Sequence, residues 1–500
     1  MAVLDRTPDS LRVDNARCVD FARRKISLCS LYIADGVIKA KIPSQGHRPK
    51  ATRNINLKRQ FVMPGFIDGH THLISTGIEM QRLDLSRCRS LDDCLQRISA
   101  RAKTRAMVFA SNWDESGWQH DERDQLSRKT LDRISRKKPL IMRRVCGHYA
   151  VVNTPALRRI DKTWTIVDRQ KGLLYENVVL NLNDIFAPSD EMLEKALVLA
   201  TRKALRLGIT SVHEIGNTKR FRLLQKHHKD LKVRFALYLT HRYHASIIAS
   251  GLRTGYGNDW LRFAGTKVYI DGAIGARTAA LWNTYRKTRQ RGRILFSTRR
   301  LENLVRSAET HGIQLMIHSI GDRSNDLVLD VLGKNITPGN PLRHRLEHLE
   351  ILGDKAIQKI SRLKIIASMQ PNFVRRWQNP GGMYEGIIGS EYISMNSFRS
   401  LIKARARVVF GSDCMPLGPL YGIPGAVRHP SLCRRLHISD AFRLYTEAGA
   451  YPTFEEKKKG KLEPGYLADL LVLNKDPLEE NNLSQLKVKS VMVGGRFVKQ

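Results

Sequence analysis

Residues 64–73 read PGFIDGHTHL, an apolar run that ends in two histidines two positions apart. Side chains at positions i and i+2 of a strand point to the same face, so His70 and His72 could bind one metal ion if this run is a strand. The alternative is a turn that carries two incidental histidines. The rest of the chain decides between these two interpretations.

Seven further β-rich runs follow, separated by amphipathic or charged segments such as residues 298–311. Strands that alternate with helices predict a parallel sheet, and eight such units, counting the run that ends in His72, close into a barrel. We therefore predict an α/β protein whose central domain is a TIM-like (β/α)8 metallo-barrel over residues 61–85 and 196–454. The seven downstream runs are GITSVHEI (208–215), VRFALYL (233–239), RFAGTKVYI (262–270), IQLMIHSI (313–320), RHRLEHLEI (343–351), KIIASMQ (364–370) and ARVVFGSD (406–413).

Two other regions complete the predicted architecture. About 140 residues separate His72 from the next run, whereas a βα unit needs only about 30. An inserted α/β module over residues 86–195 accounts for this gap, and its position on a βα connection would place it over the active-site face. Both ends of the chain carry hairpin signals, an Asp-Gly and a Gly-Gly turn, so residues 1–60 and 455–500 together predict one small β-sandwich.

Composition excludes several classes of protein. The 500 residues include 85 Lys and Arg against 47 Asp and Glu, a formal net charge of +38. Such a surface attracts polyanions, but the basic residues are spread along the chain without a known nucleic-acid motif, so no specific nucleic acid is expected as a partner. The absence of a long apolar run and of a signal-peptide pattern predicts a cytoplasmic protein without a membrane partner. Seven scattered cysteines without a CxxC pair predict neither a disulfide framework nor a cysteine zinc site.

The predicted strand ends carry residues with metal-ligand chemistry, and the carboxyl ends of barrel strands are where catalytic groups lie. Imidazole and carboxylate groups suit Zn²⁺ and similar divalent ions. A catalytic ion keeps an open position for water, and Asp413 could accept the proton of that water and pass it to a leaving group. Each histidine alone is more often a hydrogen-bonded structural residue, so only the joint pattern indicates a metal site. The residues are His70 and His72 (first strand), Lys267 (fourth), His318 (fifth), His348 (sixth) and Asp413 (eighth).

A set of longer motifs makes the interpretation more specific. They are PGFIDGHTHL, TKVYIDGAIGARTAAL, MIHSIGDRSNDLVLD, RLEHLEIL, MQPNF, GSDCMPLGPLYGI, YTEAGA and GKLEPGYLADLLVLNKDP. In this order, the motifs resemble the amidohydrolase superfamily, and within it the YtcJ-like branch of amidohydrolase family 3. The resemblance implies a distorted barrel with a β-sandwich and hydrolysis of C–N or related bonds by a divalent metal, with zinc as the expected ion. It also implies that His70, His72, His318 and His348 are ligands and that Asp413 is both ligand and acid/base.

Lys267 has two interpretations. In binuclear relatives a lysine of the fourth strand becomes a carbamate that bridges two ions, and Lys267 occupies that kind of position. The alternative is an ordinary cation that polarises the substrate or pairs with Asp271. The number of ions, one or two, and the carbamylation of Lys267 stay open at this point.

Further residues are expected around the site by their position after predicted strands or in the insert. Asp322 would orient an imidazole ligand, because a metal-bound histidine needs a partner on its other ring nitrogen. Arg277 and Gln370 would contact substrate from loops of the barrel, and His148 and Asn153 would do so from the insert. A packing or capping role is the alternative for each of them.

The segment after the fourth strand, residues 283–296, is strongly basic. We hypothesise that it steers an anionic substrate or a carboxylate product, and the alternative is one more patch on a basic protein. Its cationic residues are Arg286, Lys287, Arg289, Arg291 and Arg293, followed by Arg299 and Arg300, and the segment contains no acid.

Three functions remain to be compared. The leading one is metal-dependent hydrolysis of an amide, formamide or cyclic amide by activated water. A heterocycle deaminase on the same metal centre is the second, and a non-catalytic, basic nucleic-acid-binding protein on a barrel scaffold is the third. The expected partner is a small-molecule substrate, anionic or neutral, and the formation of a homodimer is left open.

Overall fold

The structure is a computed structural model that describes residues 10–115, 118–119, 122–145, 147, 149–164, 167–175, 177–180 and 182–498. The chain divides into two compact units. The first unit comprises Met1–Leu73 and Ala200–Gln500, and the second comprises Ile74–Leu199. No helix among the described residues is long and apolar enough to cross a membrane.

The secondary-structure elements are numbered along the chain. The strands are β1 (Ser10–Asp20), β2 (Lys25–Ala34), β3 (Val37–Pro43), β4 (Arg53–Asn56), β5 (Phe61–Pro64), β6 (Phe66–Thr71), β7 (Leu83–Asp84), β8 (Val108–Trp113), β9 (Leu140–Arg144), β10 (Tyr149–Val152), β11 (Val167–Asp168), β12 (Leu173–Tyr175), β13 (Ile209–Gly216), β14 (Arg234–Thr240), β15 (Leu261–Tyr269), β16 (Leu315–Ser319), β17 (Arg345–His348), β18 (Ile366–Met369), β19 (Arg407–Phe410), β20 (Leu470–Leu473), β21 (Val488–Val493) and β22 (Arg496–Val498). The helices are α1 (Leu73–Glu79), α2 (Leu91–Thr104), α3 (Glu122–Gln125), α4 (Arg128–Ile134), α5 (Thr154–Leu157), α6 (Asn177–Leu180), α7 (Leu182–Ile185), α8 (Asp190–Arg206), α9 (Thr218–Lys226), α10 (His244–Ala249), α11 (Thr298–His311), α12 (Asp322–Asn335), α13 (Asp354–Arg362), α14 (Pro371–Trp377), α15 (Met383–Ile388), α16 (Phe398–Lys403), α17 (Pro419–Val427), α18 (Ile438–Leu444) and α19 (Glu447–Ala450).

The predicted barrel is confirmed as an eight-stranded parallel sheet in the order β6-β13-β14-β15-β16-β17-β18-β19. Every residue of β13 is buried, as expected for a strand that is covered on both faces. The segments between strands form amphipathic helices that cover the sheet. Helix α11, for example, is capped by Ser297 at its start and by left-handed Gly312 at its end, and it buries Leu301, Val305 and Ala308 at helical spacing.

The barrel closes where the last strand, β19, meets the first, β6. Ser412 donates from its backbone N–H and its hydroxyl to the carboxylate of Asp68, at 2.7 and 2.6 Å, and the Asp413 N–H donates to the His70 carbonyl at 2.8 Å. Two glycines permit this close approach. A Cβ on Gly69 would lie 2.7 Å from the Phe410 carbonyl oxygen, and a Cβ on Gly411 would overlap the backbone of His70. The closure therefore places Asp413 directly beside His70.

Strands from both termini form one further sheet, which we call the terminal sheet, in the order β22-β21-β20-β5-β1-β2-β3, with β4 paired to β1. Residues from the two ends of the chain share one apolar core, which includes Val13, Leu31, Leu470 and Met492. The prediction placed residues 61–64 in the barrel, and this boundary was wrong.

The first predicted barrel strand is in fact split in two at Gly65. Strand β5 pairs with β1 and β20 in the terminal sheet, and only β6 enters the barrel. The Gly65 N–H bonds to the Asp469 carbonyl of the terminal sheet, and a Cβ on Gly65 would overlap Thr210 of the barrel. The continuous apolar run hides this change of sheet, because both halves are buried.

The two hairpin signals in the terminal sheet are confirmed. Asp35 and Gly36 have positive φ of 54° and 73° between β2 and β3, and Gly494 and Gly495 have φ of 57° and 75° between β21 and β22. One feature was not expected. Cys18 of β1 and Cys29 of β2 form a disulfide across the antiparallel pair, which their spacing of 11 residues did not suggest.

The second unit is an α/β module built on the sheet β11-β12-β10-β9-β8-β7. Strand β7 pairs in parallel with β8, so residues 83–84, which the prediction assigned to the barrel, belong to the sheet of this unit. Helix α2 of this unit begins at a polar cap, because Ser90 accepts a hydrogen bond from the Asp93 N–H. Strand β7 was not predicted, because two residues are too few to show the alternation of a strand.

Candidate metal centre

Three potential ligands converge at the carboxyl ends of the first, sixth and eighth barrel strands. One ligand atom each from His70, His348 and Asp413 lies within 4.8 Å of the other two. His72 Nε2 lies 3.3 Å from Asp413 Oδ1, and the His318 ring centroid lies 4.4 Å from that of His348. The structure thus brings together the four histidines and the aspartate that were predicted from four separate strands.

The ring of His70 is oriented by a buried ion pair. Glu347 Oε2 lies 2.5 Å from His70 Nδ1, and Arg345 holds the same carboxylate through Nε at 2.6 Å and Nη2 at 3.1 Å. A carboxylate only accepts, so Nδ1 of His70 donates and Nε2 keeps its lone pair, on the side of Asp413. The side chains of Arg345 and Glu347 are fully buried, which fixes this arrangement.

Two other imidazoles have one nitrogen occupied in the same way. His348 Nδ1 donates to Gln370 Oε1 at 2.8 Å, and His318 Nε2 donates to the Gly272 carbonyl at 2.9 Å. In each ring the second nitrogen is left as the acceptor that a metal ligand requires. Asp271 lies 3.5 Å from His318 Nε2 and bonds to backbone N–H groups of the neighbouring loop, at Ile320 and Gly321.

The segment that carries His72 is fixed from the second barrel strand. Glu214, which is fully buried, accepts hydrogen bonds from the Thr71 hydroxyl at 2.9 Å and from the Leu73 N–H at 2.6 Å. These two contacts flank His72, whose side chain is one-third exposed. Glu214 therefore positions the second histidine of the opening motif through the backbone on both sides of it.

Two of the clustered residues have an uncommon backbone conformation. His348 has φ of 75° and Asp413 has φ of 51°, in the left-handed region that costs a residue other than glycine of order 1 kcal/mol. Such strain persists where the surrounding structure holds it, and it concentrates at functional sites. Here it turns both side chains at the strand ends towards the cluster.

Burial sets the protonation of the cluster. It lowers the pKa of His70 and His348 well below the usual value and that of His318 to about 3, with the positive charge of Lys267 acting in the same direction. The imidazoles are therefore neutral at neutral pH, the state in which they bind metals. Burial raises the pKa of Asp413, while the nearby Lys267 opposes this shift.

Lys267 is fully buried, and its Nζ has no hydrogen-bond partner among the described residues. Burial lowers the pKa of Lys267, while Glu347 and Asp413 act against that shift. The pairing with Asp271 that was considered as an alternative is not seen. The Nζ lies 5.0 Å from the Tyr269 ring centroid, but a buried amine without a hydrogen-bond partner costs free energy unless another group satisfies it.

The residues present fit a divalent ion. The donors are neutral imidazole and carboxylate, which suit zinc and related ions. Three rings carry a hydrogen-bond partner on one nitrogen. The Lys267 amine has no hydrogen-bond partner among the described residues, so as a neutral amine or a carbamate it could supply one more donor atom. The donor set and the ring hydrogen bonds together support a metal centre.

The structure shows a different environment for each of the barrel residues that were predicted around the ligands. Gln370 was predicted to contact substrate, but it is buried and bonded to His348, so it orients a candidate ligand. Asp322 accepts hydrogen bonds from the backbone N–H groups of Trp282 and Arg323, and the predicted contact with an imidazole is absent from its described bonds. Arg277 is exposed, with φ of 56°, in the loop after β15.

Two residues of the insert, His148 and Asn153, were predicted to contact substrate. Asn153 is fully buried, caps α5 through the Ala156 N–H, and donates to the carbonyls of Ser135 and Lys138. All of its polar atoms are used within the second unit, so it is a structural residue and not a substrate contact. His148 lies outside the described residues.

Glu347 and Arg345 were not predicted as part of the site, although their strand was. A signal was available, because two charged residues two positions apart inside a buried barrel strand must be paired or lie at a functional site. Their contact with His70, however, depends on how the barrel strands are arranged, and the sequence of one strand does not show this.

Known proteins of similar sequence identify the family of this chain. The sequence model of the amidohydrolase family matches residues 53–499. The chain belongs to this family. It is 27% identical to the putative amidohydrolase YtcJ of Bacillus subtilis, over 94% of this chain and 95% of that protein. It is also 23% identical to the N-substituted formamide deformylase of Arthrobacter pascens, over 88% of this chain and 89% of that protein.

Solved structures support the same amidohydrolase fold. An uncharacterized metal-dependent hydrolase from Pyrococcus furiosus has a TM-score of 0.82 and 24% identity, with coverage of 94% of this chain and 100% of that one. Its counterpart from Pyrococcus horikoshii OT3 has a TM-score of 0.81 and 25% identity, with coverage of 94% and 98%. Family membership, these neighbours and the His70, His348 and Asp413 cluster support a metal-dependent hydrolase.

Proposed function

We propose that this amidohydrolase family member hydrolyses a C–N bond of an amide, formamide or cyclic amide, with zinc as the working ion. The observation that carries the proposal is the convergence of ligand atoms from His70, His348 and Asp413 within 4.8 Å at the carboxyl ends of barrel strands. A bound divalent ion supplies Lewis acidity, which polarises a carbonyl group and favours the deprotonation of water near neutral pH.

The residues of the chain divide the remaining work. His70, His72, His318 and His348 present neutral imidazoles, and Lys267, as amine or as carbamate, would complete the ligand set. Asp413 combines a raised pKa with contacts to His70 and His72 at 3.6 and 3.3 Å. A carboxyl group of this kind can hold a proton at its oxygen and deliver it to a departing nitrogen.

The central experiment combines metal analysis with a substrate panel. Purified protein, loaded separately with Zn²⁺, Mn²⁺ and Co²⁺, is assayed on N-acyl, N-formyl and cyclic amides. We expect bound metal and the formation of a carboxylate and an amine, as two products from N-acyl and N-formyl amides and within one ring-opened product from cyclic amides. Ammonia from a heterocycle would assign a deaminase instead, and protein that binds no metal after reconstitution would overturn the proposal.

The role of Asp413 has its own test. Asp413→Asn keeps the shape of the side chain and one ligand oxygen but removes the group that takes up a proton. We expect kcat to fall by about a thousandfold, in the range of general acid–base effects, while metal analysis still finds much of the ion bound. A rate near that of the parent protein would contradict the assignment.

A further inference from the structure

The segment that runs from the fourth barrel strand into the first turn of helix α11 has an unusual charge composition. Residues 272–301 contain eight cationic residues and no Asp or Glu. The whole chain holds 47 acids in 500 residues, which corresponds to about three in a segment of 30. The cationic residues are Arg277, Arg286, Lys287, Arg289, Arg291, Arg293, Arg299 and Arg300.

This cationic loop, residues 272–301, is anchored beside the candidate metal centre at both of its ends. At its start, the Gly272 carbonyl accepts the hydrogen bond from His318 Nε2 at 2.9 Å. Near its end, the Leu295 N–H donates to the carbonyl of Ile270, at the end of β15, at 2.7 Å. The loop therefore lies on the catalytic face of the barrel.

The cationic loop is folded on a buried base. Tyr285 is 1% exposed, its hydroxyl donates to the Ala279 carbonyl at 2.8 Å, and its N–H donates to the Gln290 carbonyl at 2.9 Å. Tyr285 also belongs to an apolar cluster with Phe373, whose ring stacks against that of His348 at 5.9 Å. Packing thus connects the loop to a candidate ligand and supports the backbone from which its cations project.

The cationic side chains themselves point to solvent. Arg286, Lys287, Arg289, Arg291 and Arg293 are all exposed. No salt bridge of these five is found within the described part of the chain, although Arg286 donates to the Glu385 carbonyl at 3.4 Å. Elsewhere the protein does pair exposed cations, as Lys458 does with Asp259 at 3.2 Å. Like charges held together without partners repel each other, and a bound anion would relieve that repulsion.

We propose that the cationic loop binds an anionic group of the substrate, such as a carboxylate, and so selects amides that carry a negative charge away from the scissile bond. The inference rests on the proposed C–N hydrolysis for the identity of that bond. The rigid base keeps the cations on one side of the barrel mouth, where they raise the local concentration of anions.

The test uses two probes that differ in one charge, N-benzylformamide and 4-(formamidomethyl)benzoate, on metal-loaded protein. The variant Arg286→Ser/Lys287→Ser/Arg289→Ser removes three exposed cations from the loop. The matched control Lys50→Ser/Lys58→Ser/Arg59→Ser removes the same charge from exposed positions near the terminal sheet. Exposed substitutions of this kind change stability by less than about 0.5 kcal/mol, so both variants should fold.

At low salt we expect the loop variant to raise KM for the benzoate about tenfold, and to change KM for the neutral probe less than twofold. The effect should shrink at high salt, and the control should leave both probes within about twofold. Equal effects on the two probes, or an equal effect of the control, would overturn the inference. If neither probe is hydrolysed, the proposed function fails on formamides, and calorimetric Kd values for the same pair still test the loop.

Discussion

Two buried arginine–carboxylate pairs of the first unit differ in what surrounds them. Arg345 and Glu347 lie beneath the candidate metal centre, with both side chains fully buried. Arg234 and Asp469 join the start of β14 to the terminal sheet, with side chains only 3% and 8% exposed. Both pairs are bidentate, at 2.6 and 3.1 Å and at 2.7 and 2.9 Å.

The second partner of each carboxylate separates their roles. Glu347 also accepts the hydrogen bond of His70 Nδ1 at 2.5 Å, so its charge reaches a candidate ligand. Asp469 accepts from the Gly494 N–H at 2.8 Å, so its charge fixes a hairpin turn. The same buried chemistry therefore supports function in one place and the joining of two sheets in the other.

The largest expected effect comes from Glu347→Gln in the pair beneath the candidate metal centre. The substitution leaves Arg345 buried without a countercharge, which costs about 3–5 kcal/mol. The loss of a carboxylate behind His70 should also weaken metal binding about 10- to 100-fold. Metal titration and thermal unfolding of the same preparation measure both quantities.

A double variant separates the loss of metal affinity from a loss of folding. Arg345→Met/Glu347→Gln removes both charges, so it should recover the part of the stability that is lost to the unpaired charge. The recovery should be incomplete, because Arg345 also donates to the Gly69 carbonyl and the Ser368 hydroxyl. Metal affinity should stay low, since His70 still lacks its carboxylate. If the double variant regained full metal affinity, the orienting role of Glu347 would be refuted.

The barrel and the residues at the ends of its strands are the part of the molecule that the sequence predicts best. The barrel strands and the residues at their ends were predictable, because each depends on a local run of apolar residues and on the rule that catalytic groups lie at carboxyl ends. His70, His318, His348 and Asp413 could thus be proposed as neighbours before any coordinates. Family motifs then supplied their expected roles.

The orienting partners could not be read from the sequence in the same way. Asp322 was proposed because it follows His318 closely, whereas the actual partners, Glu347 for His70 and Gln370 for His348, come from other strands. Such contacts depend on the register between strands, which no local pattern encodes. The split at Gly65 was missed for a similar reason, since β5 and β6 are equally apolar but enter different sheets.

The Arg234–Asp469 pair should show the stability effect without the metal effect. Asp469→Asn leaves the buried Arg234 without a countercharge and should lower the free energy of unfolding by about 3–5 kcal/mol. Thermal unfolding measures the loss, and metal content per folded molecule should equal that of the parent. Reduced metal affinity in this variant would show that the two regions are coupled and that the proposed separation is wrong.

The smallest expected effect concerns the aromatic ring above Arg234. Its guanidinium carbon lies 4.3 Å from the Trp260 ring centroid, a cation–π contact worth about 0.5–1 kcal/mol at a partly exposed site. Trp260→Leu should therefore lower stability by about 1 kcal/mol and leave metal binding and kcat unchanged. Combining it with Asp469→Asn in a double-mutant cycle sharpens the result, because both substitutions act on one guanidinium and should not be additive. Strict additivity would mean that Trp260 stabilises the junction through its apolar contacts alone, and that the ion pair with Asp469 and the hydrogen bond to the Asp259 carbonyl hold Arg234 without help from the ring.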